Sequence, residues 1–284
     1  MDNQWNDAAA QQAITDYGHA GEDLALRTYT TRLLGKVPQL VLHGGGNTSV
    51  KTRVTDLLGD EYDVLCVKGS GWDMAFIEPP GLPAVKMEPL LKARALDALS
   101  DEAMVALQRS SLIDPGSPNP SVETLLHAFL PHKFVDHTHS TAILALVDQE
   151  NSRELIGAVF GDRMGFVPYI PPGFELAKAA ADVFDENPDV EGLILDKHGI
   201  FTFGDTAKQA YDRMIAAINE AGIYQFVTKP WHPDQLLMVA KGAARLFQLS
   251  RDHDRLTLES KYLANTANAK LEKQRAALRE GLGF

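Results

Sequence analysis

The chain has 284 residues and a formal net charge of −11 with its histidines neutral, which excludes nucleic-acid binding by counterion release. With 45% hydrophobic and 23% charged residues it has the composition of a globular protein long enough to bury a real core. The single cysteine, Cys66, cannot close an internal disulfide, no apolar run approaches the about 18–20 residues of a membrane span and no apolar leader opens the chain, so a cytoplasmic protein without a membrane partner is expected.

From Ala8 to Leu34 the apolar residues Leu24, Ala25, Tyr29, Leu33 and Leu34 recur at three and four, which predicts an amphipathic helix ending before Pro38. Gln39 to His43 and the run Gly44-Gly45-Gly46-Asn47-Thr48-Ser49-Val50-Lys51 read as two short strands joined by a glycine turn, and Val64–Val67 as a third strand stopping at Lys68-Gly69-Ser70-Gly71. Lys86 to Leu99 is helical in pattern, and Ser100 before Asp101 and Glu102 caps a further helix to about Gln108. After the proline-stiffened loop from Asp114, Ser121 can cap a helix from about Val122 to Leu130 with Glu123 in its first turn. A strand over Phe134–His139, a helix to about Asp148, a strand over Arg163–Ile170, a helix over Phe174–Phe184, strands over Val190–Leu195 and 197–204, and a helix over Ala207–Val227 complete the pattern.

Strands and helices mix without a strict βαβ rhythm. The expected fold is therefore α/β, a three-layer α/β/α sandwich on a largely antiparallel or mixed sheet. Composition changes after Pro230-Trp231-His232-Pro233, where a proline-free stretch rich in Ala, Leu, Lys and Arg begins. The expected organisation is one α/β domain over 1–230 and a helical extension over 231–284 for packing or oligomer contacts.

His137-Thr138-His139 is the sharpest candidate for chemistry. Residues i and i+2 of a strand share a face, so two imidazoles stand ready to chelate Zn²⁺ or a similar divalent ion, although such a pair also occurs as a structural feature. His198, at the end of an apolar strand where Gly199 relaxes the backbone, offers a third ligand, and three histidines with an open position describe a catalytic metal site. Glu123 supplies a carboxylate for acid–base work, or merely supports its own helix end. The glycine runs at Gly46 and Gly71 allow close backbone approach to an anion, or are simple turns; neither fits a Walker A loop or a dinucleotide fingerprint. His127, one helical turn beyond Glu123, reads as a core-edge histidine and Cys66 as a small core residue. His43, His132, His232 and His253 have no distinguishing spacing.

Taken in order, His43-Gly-Gly-Gly-Asn-Thr-Ser49, Lys68-Gly-Ser-Gly71, Pro120-Ser-Val-Glu123 with Leu126-His127, His137-Thr-His139-Ser140 and Lys197-His-Gly199 resemble the class II aldolase/adducin family. The likeness covers roughly residues 20 to 228 and is greatest to the aldolase half of rhamnulose-1-phosphate aldolase/alcohol dehydrogenase fusions. The resemblance implies that His137, His139 and His198 bind Zn²⁺ and that Glu123 is the acid–base residue. It also implies that Gly46, Asn47, Ser70, Gly71 and Ser121 hold the phosphate of a sugar substrate, in a cyclic homotetramer with sites between subunits. Family aldolases often carry a second serine where this chain has Val122, which removes one hydroxyl donor to phosphate. The implied reaction is reversible cleavage of a phosphorylated ketose such as rhamnulose 1-phosphate to dihydroxyacetone phosphate and an aldehyde. The same scaffold would also serve a 4-epimerase, a sugar-phosphate dehydratase or a metal-free adducin-like interaction module.

Overall fold

The computed structural model describes residues 1–42 and 45–222, with Leu237, Met238 and Lys241 beyond them. His43, Gly44, the expected helical extension over 231–284 and the end of the expected Ala207–Val227 helix lie outside the described residues.

Seven strands form one sheet: β1 (Asn47–Thr55), β2 (Glu61–Val67), β3 (Ala84–Lys86), β4 (Phe134–Thr138), β5 (Met164–Val167), β6 (Gly192–Leu195) and β7 (Gly199–Gly204). Their order is β3-β2-β1-β4-β7-β6-β5. Every pair is antiparallel except β5 with β6, so the mixed, largely antiparallel sheet matches expectation. Strand alternation sends Leu65, Val67, Val135, Phe201 and Phe203 to one face and Val50, Val64, Cys66 and Phe134 to the other.

The helices are α1 (Asp7–Tyr17), α2 (Glu22–Gly35), α3 (Met87–Ala93), α4 (Asp101–Ser110), α5 (Thr124–Phe129), α6 (Thr141–Val147), α7 (Ser152–Phe160), α8 (Phe174–Glu186) and α9 (Ala207–Glu220). The first face is covered by α5 and α8 through Leu125, Leu126, Phe129, Leu176, Ala180 and Phe184, which pack with its strand residues into the main core. The second face carries α9 through Ala207 and Ala210.

Several elements differ from their sequence expectations. The helix expected over Ala8–Leu34 is broken by a 3-10 turn and by Gly21 at φ 97, a backbone that only glycine adopts freely. Residues 39–42 are turn rather than strand: Leu40 and Val41 N–H both donate to Val37 O and so close on the preceding turn instead of a sheet. The helix expected to 99 ends at Ala93. The helix after Ser121 starts at Thr124, leaving Glu123 at its N-cap, not in its first turn. Ser100 does cap α4, its side chain accepting from Ala103 N–H.

Candidate active site

The site forms where β4 and the β6–β7 turn end beside α5. His137 pairs with Asn47 of β1 on one side and Phe201 of β7 on the other, and its ring stacks on Phe201 at 4.1 Å between centroids. It is fully buried. His137 Nδ1 lies 3.0 Å from Ile200 O, so Nδ1–H donates to that carbonyl and Nε2 is left bare on the side where His139 and His198 stand.

His139 follows β4 on the same face, and its Nε2 is 2.9 Å from His137 Nε2. His198 comes from the β6–β7 turn. The residue in the left-handed region there is Lys197, at φ 53, not Gly199. Gly199 is needed for a different reason: a Cβ would stand 2.5 Å from Thr138 O and 3.1 Å from the His139 ring. One ring nitrogen from each of the three histidines lies within 4.8 Å of the others. Burial lowers the pKa of all three, with the neighbouring imidazoles adding to it for His137 and His198, so they are held neutral. The three neutral imidazoles so gathered are donors that one cation can share. The donor set therefore fits a divalent metal ion.

Glu123 leans into this cluster. Its Oε2 is 3.4 Å from His137 Nε2 and its Oε1 is 3.3 Å from His198 Nε2. Among the described residues the buried Oε1 has no hydrogen-bond partner. Burial pushes the carboxyl pKa up, against the pull of His198 and the hydrogen bond from Asn47.

In front of the cluster lies a cavity of about 590 Å³ whose lining includes Gly46, Asn47, Ser70, Gly71, Ser121 and Glu123. The structure thus brings the three histidines, Glu123 and the five expected phosphate-binding residues to one place, but their surroundings differ. Both Asn47 amide hydrogens are taken, by Ser121 Oγ at 3.0 Å and Glu123 Oε2 at 2.6 Å. The N–H groups of Lys68, Gly69 and Ser70 donate to Thr48, Gly81 and Asn119 carbonyls. Among the described residues, Gly71 and Trp72 keep backbone N–H groups without such partners.

Two residues of this region carry more than their sequence reading suggested. Lys68, nearly buried, puts a basic side chain in the cavity wall; burial lowers its pKa while Asp73 raises it. His127, read as a core-edge histidine, is bonded to Asn47 at 2.5 Å and to Ser49 at 2.7 Å. Its spacing from Glu123 was the available signal. A second groove of about 1070 Å³ runs along β1 and β2. Its charges are largely paired, Arg53 with Asp63, Lys92 with Glu88 and Lys133 with Asp23, and it holds none of the candidate residues. No described helix is long and apolar enough to cross a membrane.

Residues 27–224 match the family described as Class II Aldolase and Adducin N-terminal domain. YuxG of Bacillus subtilis, an uncharacterized oxidoreductase, is 39% identical over 196 residues, 69% of this chain and 28% of that protein. L-fuculose phosphate aldolase of Methanococcus vannielii is 33% identical over 164 residues, 53% of this chain and 81% of that one. The solved N-terminal class II aldolase domain of a conserved protein from Thermoplasma acidophilum superposes with a TM-score of 0.69 at 41% identity, over 78% of this chain and 97% of that one. A stretch of 39 residues is 54% identical to the hydrogenase transcriptional regulatory protein HoxA of Bradyrhizobium diazoefficiens, 14% of this chain and 8% of that protein. The chain therefore spans well under half the length of YuxG and HoxA.

Proposed function

The chain belongs to the class II aldolase and adducin N-terminal domain family, and from that premise we propose that it is a divalent-metal-dependent aldehyde-lyase of carbohydrate metabolism. The reaction is reversible cleavage of a phosphorylated ketose, with rhamnulose 1-phosphate the leading substrate, to dihydroxyacetone phosphate and an aldehyde. The observation that carries this reading is the convergence of His137, His139 and His198 with an unpartnered buried oxygen of Glu123.

His137, His139 and His198 would hold Zn²⁺ or another divalent ion, which when bound supplies Lewis-acid polarisation of the substrate ketone. Glu123 does the proton work. In the synthetic direction its Oε1 takes a proton from the carbon beside the ketone of dihydroxyacetone phosphate, and in cleavage it returns that proton. Burial raises the affinity of this carboxyl for a proton, as a general base acting near neutral pH requires.

The phosphate would be met by groups lining the same cavity: Lys68, the hydroxyls of Ser70 and Ser121, the Gly71 and Trp72 N–H groups, and the Gly46 turn. Asn47 stands at the boundary between phosphate and Glu123. Lys68 answers the difficulty posed by the acidic chain: a single desolvated cation attracts phosphate locally while the surface stays negative. Val122, half exposed at the cavity, lacks the hydroxyl of the corresponding family serine and presents methyl groups to the substrate.

The active protein is proposed as a cytoplasmic homotetramer whose catalytic domain spans 1–230 and whose 231–284 extension contributes helices. Incubating the purified chain with rhamnulose 1-phosphate, fuculose 1-phosphate and ribulose 5-phosphate, with detection of dihydroxyacetone phosphate, tests the reaction. Release of dihydroxyacetone phosphate from a ketose 1-phosphate supports the lyase. An epimerised or dehydrated product assigns the scaffold to those reactions instead, and a protein without bound metal or turnover returns it to an adducin-like interaction role.

A further inference from the structure

Asn47 and Ser49 stand two residues apart on β1, across from His137 and Val135, and so point to the face that α5 covers. Glu123 and His127 stand four residues apart, at the N-cap and within α5. Two strand residues advance about 6.8 Å and four helical residues about 6 Å, so the two pairs meet rung to rung. The contacts form one buried chain: Ser49 Oγ to His127 Nδ1 at 2.7 Å, His127 Nε2 to Asn47 Oδ1 at 2.5 Å, and Asn47 Nδ2 to Glu123 Oε2 at 2.6 Å.

The chain has one direction. A carboxylate that is to receive a proton carries none, so Oε2 accepts and Asn47 must present its NH₂ group to it. Asn47 Oδ1 then faces His127, whose Nε2 must carry the ring proton, and the bare Nδ1 accepts from the Ser49 hydroxyl. Burial keeps His127 neutral, as this arrangement requires.

Resting on the reading of Glu123 as the acid–base residue, we propose that His127 is a positioning residue: by fixing the Asn47 amide it fixes the Glu123 carboxylate, with Oε1 held free towards the histidine cluster. Without the His127 donor, Asn47 Oδ1 is buried and unpaired, and the amide is free to turn its oxygen towards Glu123. Two acceptors would then face each other and the carboxylate would swing from its place. A purely structural His127 would do no more than pack its ring edge against Phe201, 5.3 Å away.

The variants His127→Phe and His127→Gln separate these roles, because the first keeps an aromatic ring without a donor and the second restores an N–H at similar reach. Proton exchange into dihydroxyacetone phosphate is followed by NMR in metal-loaded protein. Imidazole ¹⁵N spectra of the wild type give the His127 tautomer independently of activity. The expected results are a His127 protonated at Nε2, and a folded His127→Phe with wild-type metal content. Its exchange kcat falls about 10–100-fold with a smaller change in KM, and His127→Gln recovers most of the loss. Should His127→Phe fail to fold, Ser49→Ala serves in its place, with loss of exchange at unchanged metal content expected. A proton at Nδ1, or undiminished exchange in a folded donorless variant, overturns the role of His127 alone. A metal-loaded wild type without exchange overturns the acid–base reading of Glu123, and the positioning role with it.

Discussion

Arg27 of α2 meets Asp136 of β4 on the sheet face that α2 covers, an ion pair of 2.6 Å in which both side chains are fully buried. Asp136 precedes His137 in the strand and points to the opposite face, so this pair anchors from behind the strand that presents the histidines. The guanidinium also donates to Thr30 Oγ1, Thr31 Oγ1 and Ser49 O. Asp136→Ala leaves that cation buried without its counterion, and a loss of about 3–5 kcal/mol in chemical denaturation is expected. Arg27→Met combined with Asp136→Leu should recover much of it, because no charge is then left unpaired. A single-variant loss below about 1 kcal/mol would show that the pair does not brace β4.

Lys51 gives the stability a pH dependence of known sign. Burial pushes its amine down to about 7 from 10.5, while in the unfolded chain it titrates near 10.4. Between these values the unfolded state holds more protons, so stability rises with pH. The contribution is fully present above the unfolded value and is lost as pH falls through about 7. Nζ donates at 2.8 Å to the carbonyls of His127 and His132. Urea midpoints of wild type and Lys51→Met at about pH 6 and pH 9 isolate the group, and the wild type should gain on the variant at the higher pH. Parallel curves would contradict the burial of this amine.

The fold and the histidine cluster were legible for different reasons. The apolar run Val64–Val67, stopped by Lys68-Gly69, and the i, i+2 spacing of His137 and His139 are local, and the sheet preserved both. The three-residue β3 and the helix α7 carry no such signature; β3 exists because Val64, Leu65 and Cys66 offer it an edge. The relation of Asn47 to Glu123 was hidden for a similar reason. Asn47 reads as a polar residue after a glycine turn, free for a phosphate, until β1 pairs with β4 and α5 settles over both. Lys68 reads as the end of a strand, and only the fold shows that its side chain is buried in the lining of the same cavity as Glu123.

Gly199 is expected to control metal affinity without touching a metal. A Cβ there would stand 2.5 Å from Thr138 O, 3.1 Å from His139 Cδ2 and 3.3 Å from His137 Cε1, so two proposed ligands and the strand between them must move. Gly199→Ala should fold yet bind Zn²⁺ about 10–100-fold more weakly in a competition titration with a chelator. Wild-type affinity would mean that the cluster tolerates the displacement and does not depend on this close approach.

Removal of one proposed ligand tests the cluster directly. The wild type should hold about one divalent ion per chain, and His139→Ala, which leaves only two imidazoles, should lose it on dialysis. His139 is chosen because it lies beyond the end of β4 and is less deeply buried than His137, so its loss disturbs packing least. Elemental analysis reads the result. Stoichiometric metal in folded His139→Ala would dismiss the three-histidine site.

Glu123→Gln separates proton transfer from metal binding. The amide keeps the shape of the carboxyl, its oxygen can still accept from Asn47 Nδ2, and the three imidazoles are untouched, so metal content should stay at the wild-type level. The amide cannot take up a proton from carbon. Exchange of the dihydroxyacetone phosphate proton with solvent should fall by about 10²–10⁴-fold, the usual span for loss of a positioned general base. Burial raises the pKa of the Glu123 carboxyl in the structure, and the positive charge of a bound ion opposes that shift, so the exchange profile is to be measured in metal-loaded protein. A Glu123→Gln enzyme that exchanges at the wild-type rate would move the base elsewhere in the cavity. One that loses its metal would make Glu123 a ligand first and a base second.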